Sequence, residues 1–290
     1  MKNIFKGLGV ALVTPFHPDG TIDYDSLYNL LQYQKDNGVD FFCVLGSTAE
    51  TPCLSAKEKL DVKNFVVDTL KGSHPVLLGF GGNCTKAVVD EIKDFDFCGV
   101  DGILSVVPFY NKPSQEGIYR HFMAISEAAE NMPLVLYNVP GRTGINMLPE
   151  TTLRIVNDAK NVIAIKEASG NVKQIAEIIK NAPENFEVLS GDDSLTCELL
   201  SLGATGVISV VGNAIPQQFS KMVHAKLNGN DAEASAINDS LAEVFKLVFV
   251  DGNPAGIKAL LSLKKMCSNT LRLPLVPARK ETIEGLKAFA

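Results

Sequence analysis

A lysine near the end of an apolar run, in NVIAIKEASGN at 161 to 171, is the first residue in this chain that invites a chemical reading. In a strand with a period of two, Val162, Ala164 and Lys166 share one face and Ile163, Ile165 and Glu167 the other. The bulky isoleucines suit a helix layer, so Lys166 is expected to point inward. There, desolvation opposes the charged form and would lower the amine pKa toward the range in which a lysine attacks a carbonyl. The alternatives for a strand-end lysine are neutralisation by a nearby carboxylate or a side chain that snorkels out to solvent. Neighbouring motifs supply partners for the reactive reading. LYNVPGRTG at 136 to 144 ends the preceding strand with Tyr137, on the face shared with Val135, where a phenol could move protons. A core tyrosine with a satisfied hydroxyl is the other reading. Arg142, between Gly141 and Gly144, could grip a carboxylate with two hydrogen bonds or stand solvated in its loop. GSTAE at 46 to 50 offers the Ser47 and Thr48 hydroxyls and successive N–H groups, a turn able to hold an anion, although such turns also serve as helix caps. Tyr110 lies in the loop of VPFYNKPSQEG, where it could equally be packing.

Two further patterns lead away from metal chemistry. SGDD at 190 to 193 reads as a helix cap through Asp192 or Asp193 at least as well as a carboxylate pair for a metal. His17, His74, His121 and His224 are far apart and form no HxH or HExxH spacing.

These residues need a scaffold, and the chain alternates short Val/Ile/Leu-rich runs with segments of helical periodicity. Strands are expected at GLGVALVTPF from 7, DFFCVLGS from 40, PVLLGFG from 75, VDGILSVVPF from 100, PLVLYNVP from 133, VIAIKEAS from 162, FEVLSGDD from 186 and TGVISVV from 205. Asp23, Ser55 with Glu58 in a capping box, and Ser114 mark helix starts, and Gly38 marks a stop. Eight βα units over residues 1–225 predict an α/β fold of the closed (β/α)8 TIM-barrel type, which places its chemistry at the C-terminal mouth of the strands. An open doubly wound sheet competes, but no GxGxxG follows the first strand. Residues 226–290 hold no strand-like run and read as a C-terminal helical domain, with helices from 231, 254 and 278. Asn253 is expected to cap the second of these, with Pro254 at its first position.

Composition narrows the function classes. The 290 residues are 46% hydrophobic, enough for a large core, and a net charge of −6 leaves no basic footprint for nucleic acid or an anionic membrane. Partners are therefore expected to be small molecules or copies of the same chain. Six scattered cysteines without a CxxC pair read as reduced thiols of a cytoplasmic protein. The N-terminal MKNIFKGLGVALVTPF mimics a short signal peptide, but Pro15, Asp19 and the missing cleavage pattern argue against one. No apolar run reaches membrane-spanning length.

With GSTAE, PFYNKPSQEG, YNVPGRTG, IKEASGN, SGDD, GVISV and RLPLVP in this order, the chain resembles the pyruvate-dependent class I aldolases related to dihydrodipicolinate synthase and N-acetylneuraminate lyase. Arg142 after YNVPG sides with the synthase branch, since sialate lyases generally lack an arginine there. The resemblance implies a Schiff base between Lys166 and pyruvate, and a proton relay of Tyr137, Ser47 and Tyr110, the last usually supplied by a neighbouring subunit. It further implies a pyruvate-carboxylate pocket of Thr48, Gly191 and Ile208, and Arg142 on the carboxylate of aspartate semialdehyde. The implied reaction is a lyase-type condensation to 4-hydroxy-tetrahydrodipicolinate on the route to diaminopimelate and lysine, with no metal or dissociable cofactor. A cross-subunit Tyr110 implies a homo-oligomer, a dimer or a dimer of dimers. Ser47 stands where the synthases commonly have threonine and Ala49 where glycine is frequent. Ala56, Lys59, Ala87 and Phe109 depart from the pattern of lysine-inhibited members, while Asn83 keeps it, so strong feedback inhibition is not expected. The competing functions are another pyruvate aldolase, such as a sialate lyase or a keto-sugar-acid aldolase, and a catalytically silent barrel that binds a small acid.

Overall fold

The computed structural model describes residues 4–290; Met1 to Asn3, the start of the N-terminal stretch considered above, lie outside it. Eight strands form one closed parallel barrel: β1 (Gly7–Ala11), β2 (Phe41–Val44), β3 (Val76–Gly79), β4 (Gly102–Val106), β5 (Leu134–Asn138), β6 (Val162–Glu167), β7 (Glu187–Ser190) and β8 (Gly206–Ser209). Closure is made by β1 against β8, with Gly7 opposite Gly206 and Gly9 opposite Ile208. The strands are buried on both faces, which is why they read as apolar runs rather than as alternating ones.

Helices follow in chain order: α1 (Tyr24–Asp36), α2 (Ala56–Leu70), α3 (Thr85–Asp94), α4 (Gln115–Ala128), α5 (Pro140–Thr143), α6 (Pro149–Asp158), α7 (Val172–Asn181), α8 (Thr196–Ser201) and α9 (Pro216–Leu227). Three more, α10 (Asp231–Leu247), α11 (Ala255–Leu263) and α12 (Lys280–Leu286), come after the last strand. The expected starts are present. Asp23 accepts from the Ser26 N–H, Ser55 and Glu58 form a reciprocal capping box on α2, and Ser114 accepts from the Gly117 N–H. Among the described residues, no helix is long and apolar enough to cross a membrane. The six thiols are free, Cys43 and Cys267 buried and Cys84 and Cys98 exposed.

Two apolar layers result. The outer one lies between strands and helices; the inner one fills the barrel with Phe5, Phe41, Leu77, Leu104, Val135, Leu189 and Ile208 among others. Phe5 and Phe41 meet edge to face at 5.4 Å near the N-terminal end of the barrel. Room for them comes from Gly9, where a Cβ would lie 2.2 Å from the Phe41 ring.

The strict alternation expected for β6 fails at its start. Val162 pairs with Leu134 but the next pairing is Ala164 with Val135, so Ile163 is an extra residue, a β-bulge. Val162 consequently joins the outer layer, while Ile163 and Ala164 both belong to the inner one. Alternation resumes beyond the bulge, and Ile165 faces the helices as expected.

A second correction concerns Asn253. α11 begins at Ala255 with Pro254 in the capping position and no side-chain cap. Asn253 instead sends its amide across the fold to the Thr48 hydroxyl. Likewise neither Asp192 nor Asp193 caps α8. Asp192 accepts from the Ser194 N–H, and Asp193 from the N–H groups of Val210 and Val211.

The C-terminal helices are bolted to the barrel by charge. Glu50, which ends the GSTAE turn in the left-handed region at φ 57°, is fully buried and pairs with fully buried Lys258 at 2.5 Å. The other Glu50 oxygen accepts from the Arg272 N–H at 2.9 Å. Lys258 also donates to the Thr270 carbonyl, and both cations lie over the Phe16 ring, at 4.1 Å and 4.5 Å. Burial draws the Lys258 amine below its ordinary pKa, and the facing carboxylate partly restores it. Removing one partner of such a pair strands a buried charge. Lys258→Met is therefore expected to cost about 3–5 kcal/mol in denaturant unfolding, and Glu50→Gln/Lys258→Met to recover much of it. A single substitution that leaves the midpoint unchanged would show that the pair does not hold the turn.

Candidate active site

Register places the side chains singled out in the sequence. Across β5 and β6, Tyr137 is the partner of Lys166 and Asn138 that of Glu167. The first pair faces the lumen and the second the helices, so one short ladder carries the amine and the phenol inside and polar support outside. Lys166 is 6% exposed, and its Nζ lies 4.5 Å from the centroid of the Tyr137 ring. No carboxylate pairs with it among the described residues. Both alternatives to a reactive lysine, neutralisation by a partner and snorkelling into solvent, are thus absent from this geometry.

The support on the outer face is dense. Fully buried Glu167 accepts from Asn138 Nδ2 at 3.1 Å, from Gln174 Nε2 at 3.2 Å and from the Ser169 N–H at 2.9 Å. Burial raises its pKa and these hydrogen bonds oppose the rise. Asn138 also donates to Asn146 and accepts from the Met147 N–H, which ties the loop after α5 to the strand ends. The ladder that presents Tyr137 and Lys166 is in this way held from behind.

Around the amine, the walls are set by small residues and apolar ones. Cys43 is a wholly buried thiol pushed up to about 11 by burial, with Lys166 pulling the other way, which leaves it a neutral wall rather than a nucleophile. Ile208, 1% exposed, belongs to the inner layer. At Gly191 a Cβ would stand 2.7 Å from that of Ala168 and 3.2 Å from Lys166 Cε, so only glycine lets the β7 loop come this close to the amine. The same loop is fastened to the next one by Asp193, whose carboxyl is pushed up to about 6 by burial against the pull of the Val210 and Val211 amides.

The GSTAE turn is a short 3-10 helix, Ser47–Ala49. Thr48 is buried and its Oγ1 accepts from Asn253 Nδ2 at 2.8 Å. The Thr14 hydroxyl donates to the Ala49 carbonyl at 2.8 Å, pinning the turn to the end of β1. Arg142, on the surface of α5, donates from Nη2 to the Asn253 main-chain carbonyl at 3.1 Å. Tyr110 stands apart. It is 87% exposed, in a left-handed conformation at φ 71°, with its N–H on the Thr143 carbonyl. Within one chain its phenol forms no hydrogen bond with Ser47 or Tyr137, nor does Ser47 with Tyr137, among the described residues. Lys166, Tyr137 and Gly191 thus come together, Thr48 and Arg142 meet through Asn253, and Tyr110 joins neither group within one chain.

Sequence reasoning missed two contributors. Asn253 touches both Thr48 and Arg142, and no local signal marks it, because its partners are up to 205 residues away. Alternation places Glu167 on the face opposite Lys166, but its hydrogen-bonding partners are not foreseen by it. From the Gly191 geometry, Gly191→Ala should displace the Lys166 tip and raise roughly tenfold or more the concentration of α-keto acid needed for half-maximal borohydride trapping. Unchanged trapping would mean that the loop yields without moving the amine.

Comparison with known proteins shows the family. A model described as the dihydrodipicolinate synthetase family matches residues 4–290. The chain is 56% identical to a 4-hydroxy-tetrahydrodipicolinate synthase of Phocaeicola vulgatus, over 98% of this chain and 95% of that protein. It is 55% identical to the corresponding synthase of Parabacteroides distasonis, over 97% and 95%. The crystal structure of dihydrodipicolinate synthase from Thermotoga maritima superposes with a TM-score of 0.96 at 41% identity, covering 99% of this chain and 97% of the other. With the family model spanning residues 4–290 and the barrel matched, the chain belongs to the dihydrodipicolinate synthetase family.

Proposed function

We infer that this chain condenses pyruvate with L-aspartate 4-semialdehyde through a Lys166 Schiff base, giving 4-hydroxy-tetrahydrodipicolinate as the relatives' names state for them. The observation that carries the assignment to Lys166 is its burial at the mouth without a carboxylate, in register with Tyr137. The amine adds to the keto carbon of pyruvate, and loss of water gives an imine. Protonated, that imine withdraws electrons from the methyl group, so loss of a methyl proton yields an enamine. The enamine carbon attacks the aldehyde carbon of the semialdehyde. The substrate's own amino group then adds to the imine carbon and expels Lys166, closing the ring and restoring the enzyme. Each step needs a proton moved to or from oxygen, nitrogen or carbon beside Lys166, and Tyr137 is the group placed to do so. Thr48 and the N–H groups of the GSTAE turn suit the pyruvate carboxylate, and Gly191 and Ile208 shape that pocket. Arg142 suits the carboxylate of the semialdehyde, with a bidentate guanidinium at the rim.

Incubation with pyruvate followed by borohydride should fix a mass adduct on Lys166. Lys166→Ala should abolish it, and Lys166→Ala and Tyr137→Phe should each reduce turnover by at least ~10²-fold. Near-normal turnover in either variant would remove that residue from its role.

The relay beyond Tyr137 is proposed to be completed in an oligomer. The 87% exposure of this aromatic side chain, on a left-handed residue, supports its reaching a second copy of the chain, where it would meet Ser47 and Tyr137. Specific activity should then fall on dilution in step with sedimentation toward single chains, as it should in Tyr110→Phe without dissociation. Full activity in single chains would exclude Tyr110 from the relay.

A further inference from the structure

Asn253 is the polar residue that touches both groups read here as carboxylate binders. It is 9% exposed; its Nδ2 donates to Thr48 Oγ1 at 2.8 Å and its main-chain carbonyl accepts from Arg142 Nη2 at 3.1 Å. Neither Thr48 nor Arg142 is near it in sequence, and the residue comes from the segment leading into α11. The chemistry of the first contact is directional. A threonine hydroxyl has one proton and two lone pairs, whereas an amide nitrogen can only donate. With one lone pair taken by Asn253, the Thr48 proton must point elsewhere. Among the described residues, no acceptor takes it. An anion arriving at Thr48 would then be met by a donor instead of a lone pair.

We propose that Asn253 is a positioning residue: its amide orients the Thr48 hydroxyl as a donor to the pyruvate carboxylate, and its carbonyl holds the Arg142 guanidinium for the second carboxylate substrate. The inference rests on the roles given above to Thr48 and Arg142. It also gives the C-terminal helical segment a part in substrate binding, since that segment supplies a residue shared by the two half-sites. A residue that merely anchored α11 would affect stability without distinguishing binding from turnover.

The closing experiment follows borohydride trapping against pyruvate concentration in Asn253→Asp, Asn253→Ala and Thr48→Val, with thermal unfolding in parallel. Asn253→Asp keeps the side-chain size and the carbonyl to Arg142 but replaces the donor by a carboxylate. That carboxylate takes the Thr48 proton and sets a negative charge beside the anion. Half-saturation by pyruvate is expected to rise tenfold or more, with a smaller change in turnover at saturation. Asn253→Ala, which removes the donor without adding charge, should raise it about three- to tenfold, the ordinary worth of one hydrogen bond. Adding Thr48→Val to Asn253→Asp should change it less than twofold further, because the hydroxyl is already withdrawn. Parental half-saturation in either folded variant, or effects that multiply with Thr48→Val, would overturn the inference. An unsubstituted protein that forms no adduct would sink the Schiff-base reading, and this inference with it.

Discussion

The buried ion pair between Glu50 and Lys258 is the constraint on which the geometry of the mouth depends. Two charges at full burial are expensive to desolvate, and hydrophobic replacements of similar volume often serve stability as well. What the pair supplies here is position. Glu50 ends the turn that carries Ser47 and Thr48, in a left-handed conformation that a non-glycine residue adopts reluctantly, and both of its carboxylate oxygens are engaged by the C-terminal segment. Arg272, besides its N–H to Glu50, fixes the Gly20 and Cys53 carbonyls and pairs with Glu58. The helices after the barrel therefore act as a clamp whose jaws close on the turn at the end of β2. Asn253, carried by the same segment, is placed by that clamp.

A second constraint operates across β5 and β6. A side chain that must be both buried and reactive needs a backbone that does not move, because errors of the order of 1 Å in a nucleophile's position cost orders of magnitude in rate. The Asn138–Glu167 pair and its partners Gln174, Asn146 and Ser169 fill the outer face of the ladder whose inner face is Tyr137 and Lys166. Polar groups on the helix side are safe there because each finds a partner, and they place no carboxylate beside the amine. The single-residue bulge at Ile163 serves the same end: two consecutive inward side chains fill the barrel below the lysine, and the last residues of the strand keep their alternation.

Much of the fold was legible because it is written locally. Strands buried on both faces are apolar runs, helix starts are single polar residues at fixed offsets, and their regular alternation leads to closure. Lys166 could be aimed inward from Ile165 and Ala164 alone. What stayed illegible depends on partners distant in the chain. The bulge is defined by Leu134 and Val135 on another strand, so the alternation read from Val162 and Ile163 pointed them the wrong way. Asn253-Pro254 has the residues of a helix start, but the Thr48 hydroxyl competes for the amide and wins. Asp193 looks like a cap until the β8 loop offers it two N–H groups. The bond from Arg142 to a main-chain carbonyl carries no side-chain signature at the other end, and Tyr110 completes nothing within its own chain.

Why the mouth pairs an unneutralised lysine with two separate carboxylate binders follows from the reaction. An amine held by a carboxylate would be a stabilised ammonium, unable to add to a ketone, so the counter-charges that pyruvate and the semialdehyde bring must be met elsewhere. In the proposed reading Thr48 with its turn offers neutral donors to the first carboxylate, whereas a fixed cation beside the amine would oppose protonation of the imine. On the same reading Arg142 offers a full charge to the second, where its field would serve selection and hold the aldehyde carbon toward the enamine. The same barrel without Arg142 would still form the enamine. It would lack the means to require that the incoming aldehyde carry a carboxylate, and the proposed division would place chemistry on β5 and β6 and specificity on the loops around them.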